Sequence, residues 1–212
     1  MTVFVINPNS TKAMTQSALA AARKAAPEIE FEGWTSDYGP AAIEGAEDGA
    51  LAVPPLLDLV RQASDGGASA IILACFDDTG LEQAQKIAEC PVIGIGQASY
   101  ILASLLSGPT AVVTTVKAAV PVIKANIRAQ GQTATVRQVL AADVPVLMLD
   151  HDPHQAAQAF EAAARTLPEG IENIILGCSG AVTIVEEMRR KLSVNVIDGV
   201  TAAARLCRAF ID

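Results

Sequence analysis

Two short segments of this chain repeat one another: Ile71-Ile72-Leu73-Ala74-Cys75 and Ile174-Ile175-Leu176-Gly177-Cys178, 103 positions apart. Each is an apolar, β-branched run that stops at a cysteine, the pattern of a strand covered on both faces in a parallel sheet. A second pair of landmarks keeps nearly the same offset, Val92-Ile93-Gly94 being answered by Val196-Ile197-Asp198 after 104 positions. Strand landmarks that recur in order over about 100 residues indicate an internal duplication.

Strand and helix alternate within each copy. Val3-Phe4-Val5-Ile6 ends in Asn7-Pro8-Asn9-Ser10, and Thr11 to Ala26 has the Ala-rich spacing of a helix. Residues 47 to 65 read as a helix that Pro54-Pro55 must kink or interrupt. Ala70 to Ala74 reads as a buried strand, Leu81 to Ala88 as a helix, Pro91 to Ile95 as a strand and Gln97 to Leu106 as a helix. After Gly108-Pro109 the plan restarts with strand Ala111-Val112-Val113 and a helix from Lys117 to Ala129. The expected fold is therefore α/β: two pseudo-symmetric subdomains with mainly parallel sheets flanked by helices, and an active site in the cleft between them. The expected units are 1–108 and 109–212, the last helix packing back on the first.

Of the 212 residues, 51% are apolar and 18% charged, enough apolar surface for a sizeable core, so disorder is excluded. The net charge is −8 and the nearest approach to a basic cluster, Arg189-Arg190-Lys191, falls at an expected helix end, where cations suit the dipole. Nucleic acid is thus not an expected partner. The first residues lack a basic, then long apolar, leader pattern, and no apolar run reaches spanning length, so the expectation is a cytoplasmic protein without membrane association. Four cysteines at 75, 90, 178 and 207 show no CxxC spacing and are read as reduced thiols.

Parallel sheets bind ligands beyond the carboxyl ends of their strands. Asn7, Cys75, Thr114 and Cys178 all stand just past expected strands, so all four are expected to line one cleft. Moving a proton off a carbon beside a carbonyl and returning it to either face needs one basic and one acidic group on opposite sides, and two symmetric cysteines supply that pair. A thiol titrates far nearer to a weak carbon acid than a carboxylate does. Ser179-Gly180-Ala181 and a helix-like stretch from Val182 to Lys191 follow Cys178, placing its sulfur at open N–H groups that favour the thiolate. Asp77 and Asp78 beside Cys75 favour its protonated form. Asp77, Asp78 and Thr79 have two candidate roles: capping the helix near Leu81, or binding substrate N–H groups. Cys90 and Cys207 lack the strand-end context and are read as core.

Taken together, Asn7-Pro8-Asn9-Ser10, Ala74-Cys75-Phe76-Asp77-Asp78-Thr79-Gly80, Pro91-Val92-Ile93-Gly94-Ile95 and Leu176-Gly177-Cys178-Ser179-Gly180 resemble the Asp/Glu/hydantoin racemase superfamily over nearly the whole chain. The Asn-Pro-Asn start and the Cys-Phe-Asp-Asp-Thr-Gly block are similar to its hydantoin and allantoin racemase branch. The resemblance implies a metal-free, cofactor-independent two-base racemase and a homo-oligomer, with Cys75 and Cys178 as acid and base. It also implies that Asn7, Asn9, Phe76, Asp77, Thr114, Thr115, Ser179 and Gly180 hold the substrate. Glutamate and aspartate racemases of the superfamily carry Asn-Thr/Ser after the first cysteine and Thr-His or Thr-Glu after the second, where this chain has Phe-Asp and Ser-Gly. A neutral cyclic ureide needs amide, hydroxyl and backbone hydrogen bonds and an apolar wall such as Phe76, so a 5-substituted hydantoin suits these residues best. Backbone N–H groups could stabilise the enolate formed at its C5. Alternatives are an allantoin or amino-acid racemase, a decarboxylase of the same fold, against which Cys75 speaks, and a non-catalytic binding protein.

Gly94-Ile95-Gly96 starts like a dinucleotide fingerprint but has Ser99 at the third glycine position and no acidic residue about 20 positions on. Asp150-His151-Asp152-Pro153-His154 fits no metal spacing and reads as a helix cap with a first-turn proline. Residues 34 to 48, with Trp34 and Tyr38, are the expected wall for the C5 substituent.

Overall fold

The computed structural model describes residues 1–211; Asp212, the last residue of the expected second unit, lies outside the described residues. The first half runs β1 (Thr2–Asn7), α1 (Lys12–Ala25), β2 (Glu30–Thr35), α2 (Ala46–Asp65), β3 (Ala70–Leu73), α3 (Leu81–Ile87), β4 (Val92–Gly94) and α4 (Ile95–Ser104). The second runs β5 (Thr110–Thr114), α5 (Ala119–Ala129), β6 (Val136–Ala141), α6 (Met148–His151), α7 (Pro153–Ala164), β7 (Asn173–Gly177), a 3-10 turn (Ser179–Thr183), α8 (Val185–Lys191), β8 (Asn195–Asp198) and α9 (Gly199–Cys207).

Two parallel four-stranded sheets result, ordered β2-β1-β3-β4 and β6-β5-β7-β8. The repeat is kept in register: Val5 pairs with Ile72 in one sheet and Val112 with Ile175 in the other. β1 and β3, like β5 and β7, are central strands and read as continuous apolar runs. β2 and β6 carry no such run because each is an edge strand, partly exposed along its length. α2 runs through Pro54 and Pro55 without the interruption that was one of the two expected outcomes. The carbonyls that lose their donors belong to Ala50 and Leu51, both exposed, so water can satisfy them.

Successive strand residues face opposite ways and feed different cores. Val3, Val5, Ile72, Val112 and Ile175 join Tyr100, Ile123 and Val200 in a core shared by both halves. Phe4, Ile6, Ile71 and Leu73 pack under α2, while Val113, Ile174 and Leu176 pack under α7 and α8. α9 lies against α1 and α4 of the first half. A Cβ on Gly199 would stand 2.5 Å from the Ile95 carbonyl oxygen and 2.9 Å from Ser99 Oγ, so glycine permits this approach of the two helix starts. Among the described residues no helix is long and apolar enough to cross a membrane.

Candidate active site

Strand order brings the ends of β1, β3, β5 and β7 together, since these are the central strands of their sheets. A small cavity of about 20 Å³ lies there, walled by Cys75, Phe76 and Asp77 from the first half and by Thr114, Thr115, Cys178 and Ser179 from the second. Asn9 completes its polar lining. The space suffices for about one water molecule.

Two expected site residues stand behind the wall. Asn7 is buried, donates from Nδ2 to Asn9 Oδ1 at 2.8 Å and Thr15 Oγ1 at 3.0 Å, and accepts from Asn9 N at 3.2 Å. Its amide faces the start of α1 and holds Asn9. Gly180 packs against Leu149 and Met14, where an added Cβ would lie 3.2 Å from Leu149 Cβ. Thr114 does line the cavity, and its hydroxyl donates to the Gly177 carbonyl at 2.8 Å, fixing the strand end that precedes Cys178.

The wall between residues 34 and 48 differs from expectation. Trp34 packs edge-on against Phe4 on the outer face of the first sheet, and Tyr38 is 92% exposed. Of that stretch Ile43 reaches the cavity, joined by Met14, Ala119 and Val146. Ile43 and Val146 sit in irregular loops, so no periodicity in the sequence singles them out. Their loops meet over the cleft, Glu44 Oε1 accepting from Val146 N at 2.7 Å.

Both thiols are half-buried at the cavity. Burial, followed by the charge of Asp77, pushes Cys75 up to about 12, against the opposing pull of the Thr79 hydroxyl at 3.4 Å and the Asp77 N–H. Burial also pushes Cys178 up to about 12, although the N–H groups of Gly180 and Ala181 favour its thiolate. The turn after Cys178 thus supplies the expected donors, but desolvation outweighs them and the resting sulfur is a thiol. Asp77 is pushed up to about 7 by burial, and its Oδ2 is buried without a hydrogen-bond partner.

Neither Asp77 nor Asp78 caps α3, whose N-cap position is Gly80 and has no side-chain cap. Asp78 instead accepts from Gly96 N at 3.0 Å, at the start of α4, and at 2.9 Å from Nε2 of Gln130, the residue that ends α5. Burial pushes this carboxyl up to about 7 as well, with those bonds pulling it down. Gly94 and Gly96 answer to the same carboxylate, because a Cβ on either would stand within 2.8 Å of it. That packing accounts for the glycine pair.

Cys207 is fully buried in the shared core, whereas Cys90 is half-buried and packs against the margin of the core under α2. Asp152 accepts from Gln155 N at 3.0 Å and Pro153 opens α7, the expected cap. Among the described residues no three His, Cys, Asp or Glu side chains are grouped to hold a metal ion.

The family described as Asp/Glu/Hydantoin racemase matches residues 3–207. A hydantoin racemase of Rhizobium meliloti is 38% identical, with 100% of this chain and 89% of that protein covered. One from Pseudomonas sp. (strain NS671) is 30% identical over 100% of this chain and 86% of its own. Among solved structures, an allantoin racemase from Klebsiella pneumoniae superposes with a TM-score of 0.92 at 33% identity, covering 99% of this chain and 86% of that one. A family match over nearly the whole length, relatives above 30% identity and the same paired sheets agree: the chain belongs to the Asp/Glu/hydantoin racemase family.

Proposed function

We propose that this protein is a cofactor-independent racemase of 5-substituted hydantoins that passes the C5 proton between Cys75 and Cys178. The observation that carries the reading is that these two cysteines, at equivalent strand ends of the two sheets, wall one cavity. The similarity to proteins named hydantoin racemase supports the substrate class.

The C5–H of a hydantoin is acidified by the adjacent carbonyl. A thiolate on one face takes the proton, the C5–H electron pair moves into an enolate, and the thiol on the other face returns a proton to C5. After one turnover the two sulfurs have exchanged thiol and thiolate roles. Because burial holds both thiols up, one must be made easier to ionise when substrate binds. Asp77 offers a means. Its unpartnered Oδ2 accepts a ring N–H, and that bond weakens the negative field which raises both thiols. Asn9 donates to a ring carbonyl, with Thr115 and Ser179 around the ring and Phe76 as its apolar wall. Asn7, Thr114 and Gly180 act one layer back, holding Asn9, the β7 end and the Cys178 turn.

Met14, Ile43, Ala119 and Val146 present an apolar face to the substituent, which favours alkyl or aryl groups at C5 over the ureido group of allantoin or the charges of an amino acid. A ring cannot enter about 20 Å³, so the loops joined by Glu44 and Val146 part to admit it. The family resemblance supports a cytoplasmic homo-oligomer built from units 1–108 and 109–212.

The test is the loss of optical rotation of one enantiomer of 5-isobutylhydantoin in D2O without added metal. Wild type should racemise it with deuterium at C5. Cys75→Ser and Cys178→Ser should each abolish racemisation, any residual exchange being confined to opposite enantiomers. Wild type inert toward hydantoins but active on allantoin or free amino acids overturns the substrate assignment; racemisation surviving either substitution overturns the two-thiol mechanism.

A further inference from the structure

Polar side chains reach the Cys75 turn from the opposite half of the molecule. Asn126 Nδ2, on α5, donates to the Asp77 carbonyl at 2.5 Å, and Gln130 Nε2, one turn further, donates to Asp78 Oδ2 at 2.9 Å. The turn they grip is strained: Asp78 holds φ at 47°, the left-handed region that a non-glycine residue enters at a cost. The same turn places the Asp77 N–H on the Cys75 sulfur and the Thr79 hydroxyl 3.4 Å from it.

The Cys178 turn is held otherwise. Thr183 Oγ1 donates to the Gly180 carbonyl at 2.9 Å and to the Leu149 carbonyl at 2.8 Å, both within its own half. Pairing Val5 with Val112 through the sheet registers, α1 has Leu19 and Arg23 where the second half has Asn126 on α5 and Gln130 at its C-terminal cap. Arg23 donates to the Phe31 carbonyl and leaves the Cys178 turn alone.

We infer that Asn126 and Gln130 are positioning residues for the Cys75 side of the reaction, a clamp from the second half that fixes the peptide linking Asp77 to Asp78 and thereby the placement of the Cys75 sulfur relative to Cys178. The inference deepens the two-thiol reading proposed above and rests on it for its kinetic consequence. A two-base transfer needs both sulfurs at fixed distances from one carbon, and misplacing a reacting group by about 1 Å can cost about 100-fold in rate. A bond made across the cleft ties the Cys75 turn to the half that carries Cys178, which contacts within the first half cannot do.

The test compares Asn126→Ala/Gln130→Ala and the near-isosteric Asn126→Asp and Gln130→Glu with Thr183→Val. Iodoacetamide labelling of the substrate-free protein is followed at each cysteine by peptide mass spectrometry. The α5 variants should change the labelling rate of Cys75 by about tenfold and leave Cys178 within about twofold, and Thr183→Val should do the reverse. In racemisation, kcat should fall by about tenfold with KM within about twofold. The enantiomers have equal energy, so kcat/KM must match in both directions. The one-sided defect is therefore read from the substrate-deuterium isotope effect, which should rise for the enantiomer deprotonated by Cys75 and fall for the other. Equal changes at both cysteines, or none in the isosteric variants, overturn the clamp even if the double-alanine variant fails to fold. A Cys75-selective change in a protein inert toward hydantoins upholds the clamp and sinks the hydantoin assignment alone.

Discussion

The two halves share a strand order and a register, yet the surroundings of their cysteines differ in kind. Behind Cys75 lie two buried carboxylates, a left-handed residue and donors borrowed from α5. Behind Cys178 lie a short 3-10 turn, its own N–H groups and the apolar contacts of Met14 and Leu149 with Gly180. Duplication thus fixes where the thiols stand, while the charge around each is set by residues that the repeat does not share. Similar elevation of the two thiols arises from burial on both sides, with the Asp77 charge raising both.

The largest expected effect separates the halves by pH. Asp77 and Asp78, both in the first half, are pushed up to about 7 when folded. A carboxyl raised in the folded state contributes stability that is present below its unfolded value and lost as pH rises through its folded one. Stability should therefore decline from about pH 4 to about pH 7, by as much as about 4 kcal/mol for a fully buried carboxyl shifted by about three units. Asp78→Asn, which keeps an acceptor for Gly96 N, should flatten that decline. Urea melts at several pH values check this, and identical slopes in wild type and variant would dismiss Asp78 as the cause.

Next come the glycines at the two equivalent helix starts. Gly96→Ala would drive a Cβ to 2.5 Å from the Phe76 carbonyl oxygen, and Gly199→Ala to 2.5 Å from that of Ile95. Both partners are backbone, so each substitution should cost about 1–3 kcal/mol. Gly96→Ala should also alter Cys75 labelling, because it displaces the Asp78 side chain, and Gly199→Ala should not. Melting temperatures unchanged in both would remove the close-approach argument.

Asp77→Asn sharpens the electrostatic contrast. Above pH 7 the wild-type carboxylate is ionised and raises both thiols, so the variant should label faster at both sulfurs at pH 8, by about tenfold per unit of thiol shift. Below about pH 6 the wild-type group is protonated and the two proteins should converge. Labelling rates unchanged at both sulfurs contradict the assignment of Asp77 as a source of their elevation.

The smallest effect concerns the residues before the cysteines. Ala74→Gly should cost about 0.5–1 kcal/mol from backbone entropy. Gly177→Ala should cost more, since its Cβ would meet Thr114 Cβ and a Val112 methyl at 2.9 Å. Chemical denaturation of the pair measures the difference, and equal costs would mean that β5 yields to the added methyl.

Central strands, the duplication and the pairing of Cys75 with Cys178 were legible in the sequence because continuous apolar runs and a constant offset encode them locally. The edge strands β2 and β6 were not, since a half-exposed strand lacks such a run. Nor was Val146, which enters the cavity from an irregular loop, or the role of Asn7, whose amide turns toward α1; within the expected wall of residues 34 to 48 it is Ile43, and neither Trp34 nor Tyr38, that reaches the cavity. Asp78 had two readings, cap of the helix near Leu81 or substrate ligand, and it instead accepts from the start of the helix that begins at Ile95, after the intervening strand.

By itself the sequence determined the alternation of strand and helix, the repeat and the residues that follow each central strand, because these depend on side-chain period and order along the chain. Only the tertiary structure decided which of those residues face the cavity, that both thiols rest protonated and that α5 grips the opposite half. Each of these depends on burial and on partners distant in sequence, and desolvation has no local signature.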